Sequence, residues 1–161
     1  MVQPGQTASA EDGVGTTSLV FRAGSLLCAL RLDEVIETMR PLDVRPLAGT
    51  PGYVRGVTIM RGVPTPVVDV ARLIGGEPSE IHRFLAVRTE RGPVAFATGP
   101  VLGVRTTAPD ATAQHPVLLG TASSRLIAGV GMIDAEPLLL LQSMRVVPDD
   151  VWQLAAEASP A

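Results

Sequence analysis

Few side chains in this sequence could do covalent or proton-transfer chemistry. There is one cysteine, Cys28, with two histidines, His82 and His115, one tyrosine, Tyr53, and no lysine at all, so every cationic side chain is one of 13 arginines. A Cys–His nucleophile pair drawn from Cys28 with His82 or His115 is the one constellation that would suit a small hydrolase. Cys28 lies inside the apolar run Leu26-Leu27-Cys28-Ala29-Leu30, where burial raises a thiol pKa, and both histidines lie in Pro- or charge-flanked loop sequence. A core cysteine and surface histidines follow more simply. One cysteine also precludes an internal disulfide.

Other chemistries lack their spacing. No HxH, HxxxH, HExxH or DxDxDG pattern occurs, which argues against a metal site. Gly129-Val130-Gly131 supplies only the first two glycines of a dinucleotide loop, and Pro137 follows too soon for the helix such a loop needs. It reads better as a strand whose glycines permit close packing or a bulge. Nucleic-acid binding would call for a basic field and aromatic platforms. The net charge is −3 and the aromatics are only Phe21, Tyr53, Phe84, Phe96 and Trp152. No catalytic residue, metal or cofactor is therefore assigned, and a binding module is expected rather than an enzyme.

The 161 residues, with 46% apolar content, supply one compact core. Sixteen Gly and 14 Pro recur along the chain and exclude long helices. Residues 1–16, rich in Gly, Ala, Ser, Thr and Gln, read as a disordered tail. Short apolar runs then alternate with turn signals: 18–21, 26–32, 54–60, 65–70, 84–88, 94–98, 101–105, 126–133 and 137–142. Runs of that length and spacing predict an all-β barrel or sandwich. Asp33 to Glu37 reads as a single helical turn or a bend between strands. Pro66 inside a strand-like run implies an edge strand or a bulge. Residues 148–158 suit a short C-terminal helix, with Pro and two acids at its start and Val151, Leu154, Ala155 and Ala158 on one face that should dock on the domain. The first basic residue is Arg22 and the longest uncharged stretch is 111–124, so neither a secretory leader nor a membrane-spanning segment is expected, and a reduced cytoplasmic setting fits.

One stretch goes further. Gly49-Thr50-Pro51-Gly52-Tyr53-Val54-Arg55-Gly56-Val57-Thr58-Ile59-Met60-Arg61-Gly62-Val63-Pro64-Thr65-Pro66-Val67-Val68-Asp69-Val70 resembles the most recognisable block of the CheW family of chemotaxis coupling proteins. The shared pattern is aromatic-aliphatic-basic-Gly, a strand, an apolar-Arg-Gly turn, and a second strand with Pro and a final Asp. Looser similarity extends over residues 17–147, which would then be the CheW-like domain. The resemblance implies two packed five-stranded SH3-like β-barrels and a non-catalytic adaptor. Its partners would be a CheA-type histidine kinase and the cytoplasmic domain of a methyl-accepting chemoreceptor, at a membrane-proximal array and without insertion into the membrane. A divergent scaffold of a non-chemotactic signalling pathway is the alternative.

The resemblance also nominates six receptor- or kinase-binding residues, Leu32, Val35, Glu37, Arg55, Gly56 and Arg61. Arg61 aligns with the family's turn arginine, to contact a partner or to clamp a neighbouring strand or loop. Leu32 and Val35 fall where the family places the apolar lining of its receptor groove, ordinary core being the alternative. Glu37 matches an acid in the same bend. Arg55 and Gly56 match the basic-Gly pair, with Gly56 answering a backbone demand and Arg55 a rim charge. Asp69 reads as structural and Tyr53 as core.

Overall fold

The computed structural model describes residues 15–77, 79–107, 127–142 and 147–158. Among the described residues ten strands run in chain order: β1 (Thr16–Ala23), β2 (Leu26–Arg31), β3 (Val35–Met39), β4 (Val54–Met60), β5 (Val63–Asp69), β6 (Arg83–Thr89), β7 (Gly92–Thr98), β8 (Val101–Thr107), β9 (Ile127–Ile133) and β10 (Glu136–Leu141). A 3₁₀ turn, Leu32–Glu34, separates β2 from β3; helix α1 (Val70–Leu73) follows β5 and helix α2 (Asp149–Glu157) comes last. The strands form two five-stranded sheets, ordered β9-β10-β2-β1-β8 and β3-β6-β7-β5-β4. The all-β, two-unit architecture with a short terminal helix is the one the sequence predicts.

Tight turns set the local pairings. Arg61 and Gly62 both take positive φ (+51° and +79°), the geometry of the two-residue hairpin that joins β4 to β5, and Asp134 and Ala135 (+50° and +65°) repeat it between β9 and β10. Beyond hairpins, each sheet holds one parallel pair between strands distant in sequence. β10 runs alongside β2, with Leu138 opposite Leu27, and β5 alongside β7, with Val67 opposite Ala95. In the second sheet the edge strands β3 and β4 are joined by a connection whose Arg45 exchanges two 2.8 Å backbone hydrogen bonds with Val57. That bridge lays the connection against the β4 edge and closes the sheet into a barrel.

Each sheet buries residues on both of its faces. Met60, Val67, Phe84, Ala86, Ala95 and Ala97 fill the interior of the second barrel, and Val20, Leu27, Ala29 and Leu138 that of the first. The alternate residues meet in a larger shared cluster between the sheets that includes Leu19, Phe21 and Leu30 from one side and Val68, Leu85, Val87, Val94 and Phe96 from the other. Helix α2 adds Val151 to it, lays Trp152 over the Cα of Gly92, and is pinned by Arg91 Nη1 donating to Asp149 Oδ1 at 2.6 Å.

Three expectations need revision. Only Leu32–Glu34 forms the turn read over residues 33–37, because from Val35 onward the chain pairs with β6 as strand β3. Pro66 lies in β5, which is flanked by β7 and β4 and so is not an edge strand. It is tolerated because the Val57 opposite it spends its backbone N–H and C=O on Arg45, and the parallel ladder to β7 begins only at Val67, leaving that flank of Pro66 without a ladder bond to lose; the β4 bulge lies just beyond, between Val54 and Gly56. Finally, β1 starts at Thr16, inside the span read as tail. Residues 1–14 of that tail, His115 and most of the stretch from 106 to 124 lie outside the described residues.

Gly56 is the glycine the barrel cannot exchange. Its φ is +141°, and a Cβ there would sit 2.1 Å from the Arg45 carbonyl oxygen, the atom that accepts the closing hydrogen bond from Val57. Gly56→Ala is expected to cost at least about 2 kcal/mol and lower the thermal midpoint by several degrees. Gly49→Ala is its control in the same melting experiment, with positive φ but open space around the added methyl; equal losses for the two would refute the steric account.

Candidate functional site

The site candidates gather where the chain passes from one sheet to the other. β2 belongs to the first sheet and β3 to the second, and the crossing is made in the three residues Leu32–Glu34. So short a passage leaves Leu32 on the outside, 41% exposed, while Val35 is half-buried against the shared core. A bulge between Val35 and Glu37 then changes the face each residue presents. Val35 pairs with Val87, a member of the inter-sheet cluster; Glu37 pairs with Ala86 and Met39 with Phe84, both of the barrel interior. The bulge thus keeps an apolar residue at the seam and turns the carboxylate toward the mouth of the second barrel.

Arg61 meets Glu37 there from the β4–β5 turn. Its Nε donates to Oε2 and its Nη2 to Oε1, each at 2.7 Å, a side-on bidentate pair that leaves the Nη1 donors unspent on Glu37. The hydrogen bonds from Arg61 hold the Glu37 carboxyl below its ordinary pKa and raise that of the guanidinium. The Arg61 side chain is 77% exposed and that of Glu37 29%, so the pair is a surface clamp presented outward rather than a buried bridge. Sequence nominated both residues without linking them, since 24 positions separate them.

Arg55 stands at the rim, its side chain 45% exposed, and also makes an internal contact. Its Nη1 donates at 3.0 Å to Oδ2 of Asp69, a carboxylate only 1% exposed. Oδ1 of Asp69 accepts from the Arg72 backbone N–H at 3.3 Å and caps helix α1. Gly56, next to Arg55 on β4, serves barrel closure. Of the six nominated residues, the structure pairs Glu37 with Arg61, sets Leu32 and Val35 at the seam, ties Arg55 to Asp69, and packs Gly56 against the Arg45 carbonyl. Tyr53 packs half-buried on the shared core.

Sequence reasoning missed a second doubly bonded pair, Arg22 with Glu136, which joins β1 to the start of β10 across 114 positions and holds Glu136 below its ordinary pKa. No local signal marks it, because it depends on the parallel placement of β10. Cys28 is fully buried, and desolvation pushes its thiol up to about 12, which removes the nucleophile a Cys–His enzyme would need. Exposed His82 lies 3.9 Å from Glu80. Among the described residues, no three His, Cys, Asp or Glu side chains gather as a metal site.

With this geometry in hand, comparison with known proteins decides the family. The model of the CheW-like domain matches residues 17–150. The chain belongs to the CheW-like family. Members are scaffolds or adaptors of chemotaxis-type signalling rather than catalysts, coupling chemoreceptors to a kinase. This CheW-like chain is 31% identical over 113 residues to Protein FrzA of Myxococcus xanthus, an alignment spanning 68% of this chain and 70% of that protein. Its fold superposes on the crystal structure of the scaffolding protein TtCheW from Thermoanaerobacter tengcongensis with a TM-score of 0.71 at 18% identity, over 82% of this chain and 92% of the other.

The two arginines should separate by experiment. Arg61→Ala is expected to leave the melting midpoint within a few degrees, because the pair it breaks is solvated, whereas Arg55→Ala strands a buried carboxylate and should cost about 1–3 kcal/mol. The pH dependence has a definite sign. Glu37 is held below its ordinary pKa in the folded state, so what its pairing contributes is present above the unfolded pKa and is lost as pH falls through the lower folded value. A carboxyl-carbon NMR titration should place the Glu37 midpoint below the ordinary glutamate range and return it upward in Arg61→Ala. An unmoved midpoint would mean the clamp does not form in solution.

Proposed function

We propose that this chain is a non-catalytic adaptor that joins the cytoplasmic tip of a methyl-accepting chemoreceptor to a CheA-type histidine kinase. The observation that carries this reading is the seam. Two sheets meet there, and Leu32 and Ile36 stand 41% and 43% exposed on either side of half-buried Val35, with the Glu37–Arg61 clamp immediately beyond. Apolar groups left open between packed layers, with a fixed charge pair at one end, suit an amphipathic helical tip that seats apolar side chains and hydrogen-bonds at its rim. The rigid bidentate geometry fixes where the unspent Arg61 donors point, which favours one orientation of a partner carbonyl or carboxylate. Among the described residues no helix is long and apolar enough to cross a membrane; association with a receptor array would come through the partners.

Purified protein mixed with a receptor cytoplasmic fragment and a CheA-type regulatory domain should form a ternary complex on size exclusion. Val35→Glu and Leu32→Glu are expected to weaken receptor binding by about tenfold or more, the scale of losing one apolar anchor, with kinase-domain binding retained. Binding to neither folded partner would refute the adaptor reading, and a collapse of folding in both variants would return Leu32 and Val35 to the core.

A further inference from the structure

The mouth of the first barrel holds a hollow of about 140 Å³ that the seam does not involve. Its apolar wall is Val20, Leu27, Leu102 and Ile133, and its rim carries Arg22, Arg105, Asp134 and Glu136. Val20 and Leu27 are buried, while Leu102, which belongs to the same hollow, is 54% exposed on β8. An apolar side chain so open beside a preformed recess is a docking feature more than a core feature.

The rim charges are not equivalent. Arg22 is doubly bonded to Glu136 and donates to the Ser25 carbonyl at 3.1 Å. Arg105 is not: its nearest carboxylate, Asp134, is 3.6 Å away, an ion pair beyond hydrogen-bond distance, and the Asp134 side chain is 85% exposed. The less exposed Arg105, at 52%, is therefore a guanidinium whose fork is available to a better-placed acid, close to an apolar recess that lowers the local dielectric. Asp134 and its neighbour Ala135 both hold the left-handed φ of their tight turn, a conformation that is costly without glycine and that fixes the rim.

Size selects the class of occupant. Metabolite pockets run to roughly 300–1,000 Å³, whereas an apolar cavity of about 150 Å³ accepts a single benzene-sized group. We propose that this hollow is a socket for one aliphatic side chain of a partner protein, with a carboxylate on the adjoining residue of that partner taken up by Arg105. It would give the molecule a second protein-binding face, on the opposite barrel from the Glu37–Arg61 clamp, with one buried anchor and one charged rim contact.

The test is a titration of the full-length isotope-labelled chain, followed by amide NMR, with three probes: N-acetyl-Leu-Asp-amide, N-acetyl-Leu-Lys-amide and free leucine. Saturable shifts are expected at Leu27, Leu102, Arg105 and Ile133, with the Asp peptide binding at least about threefold tighter than the Lys peptide. Arg105→Glu should reverse that order. Leu102→Glu should abolish binding of both peptides while the rest of the spectrum stays in place; should that variant fail to fold, the reversal in Arg105→Glu decides. No perturbation at those amides, or an unchanged Asp-over-Lys preference in Arg105→Glu, would overturn the socket. Free leucine binding as tightly as the capped peptides would overturn it in favour of a small-zwitterion site. Neither receptor nor kinase is present, so failure here leaves the adaptor reading standing, and failure of that reading leaves these shifts unaffected.

Discussion

Everything in this molecule depends on the apolar layer shared between its two sheets. Each barrel interior is small: that of the first is closed by Val20, Leu27, Ala29 and Leu138, and that of the second is filled largely by alanines around Phe84 and Met60. The cluster between them is larger than both interiors together and contains the two fully buried phenylalanines, Phe21 and Phe96. Burial at roughly 25 cal/mol per Å² of apolar surface makes this layer the main source of cohesion. The consequence reaches the seam, since the short crossing at Leu32–Glu34 must stay short to keep the sheets in contact, and its brevity is what leaves apolar groups outside.

The same constraint explains why the strands read as continuous apolar runs. A sheet with one wet face alternates apolar and polar residues; here Leu19 and Phe21 serve the shared layer while Val20 serves the barrel interior, so Leu19-Val20-Phe21 is buried throughout. Runs and turn residues therefore located most strands, and the gapless block from Gly49 to Val70 identified the turn that presents Arg61. Strand β3 was harder, because Val35-Ile36-Glu37-Thr38-Met39 is partly exposed, bulged, and carries an acid aimed at a partner far away in sequence.

What the sequence withheld was non-local. Nothing near Glu37 announces Arg61, and nothing near Arg22 announces Glu136; each pair exists only after strands from distant parts of the chain are in register. Arg55 and Asp69 are nearer to legible, since pairing Val54 with Val68 makes them neighbours once the hairpin register is known. Without that register, Arg55 has the same appearance as any surface charge. The socket at the first barrel is invisible for the same reason, being assembled from β1, β2, β8 and the β9–β10 turn.

The threading of the sheets has a bearing on how the chain is made. The second sheet is one uninterrupted stretch, β3 to β7, whereas the first is split, with β1 and β2 at the start and β8 to β10 after the whole of the other barrel. On the ribosome, Leu27 emerges about 110 residues before Leu138, its neighbour in the parallel pair. At roughly 5–20 residues per second, that interval is on the order of ten seconds. Through it β2 has an open edge and an apolar face without its final cover, while the contiguous barrel can already form and offer Phe96 and Leu85 as a template. The nascent first hairpin is thus the segment most exposed to misassociation and chaperone capture, and the late arrival of β10 completes the fold.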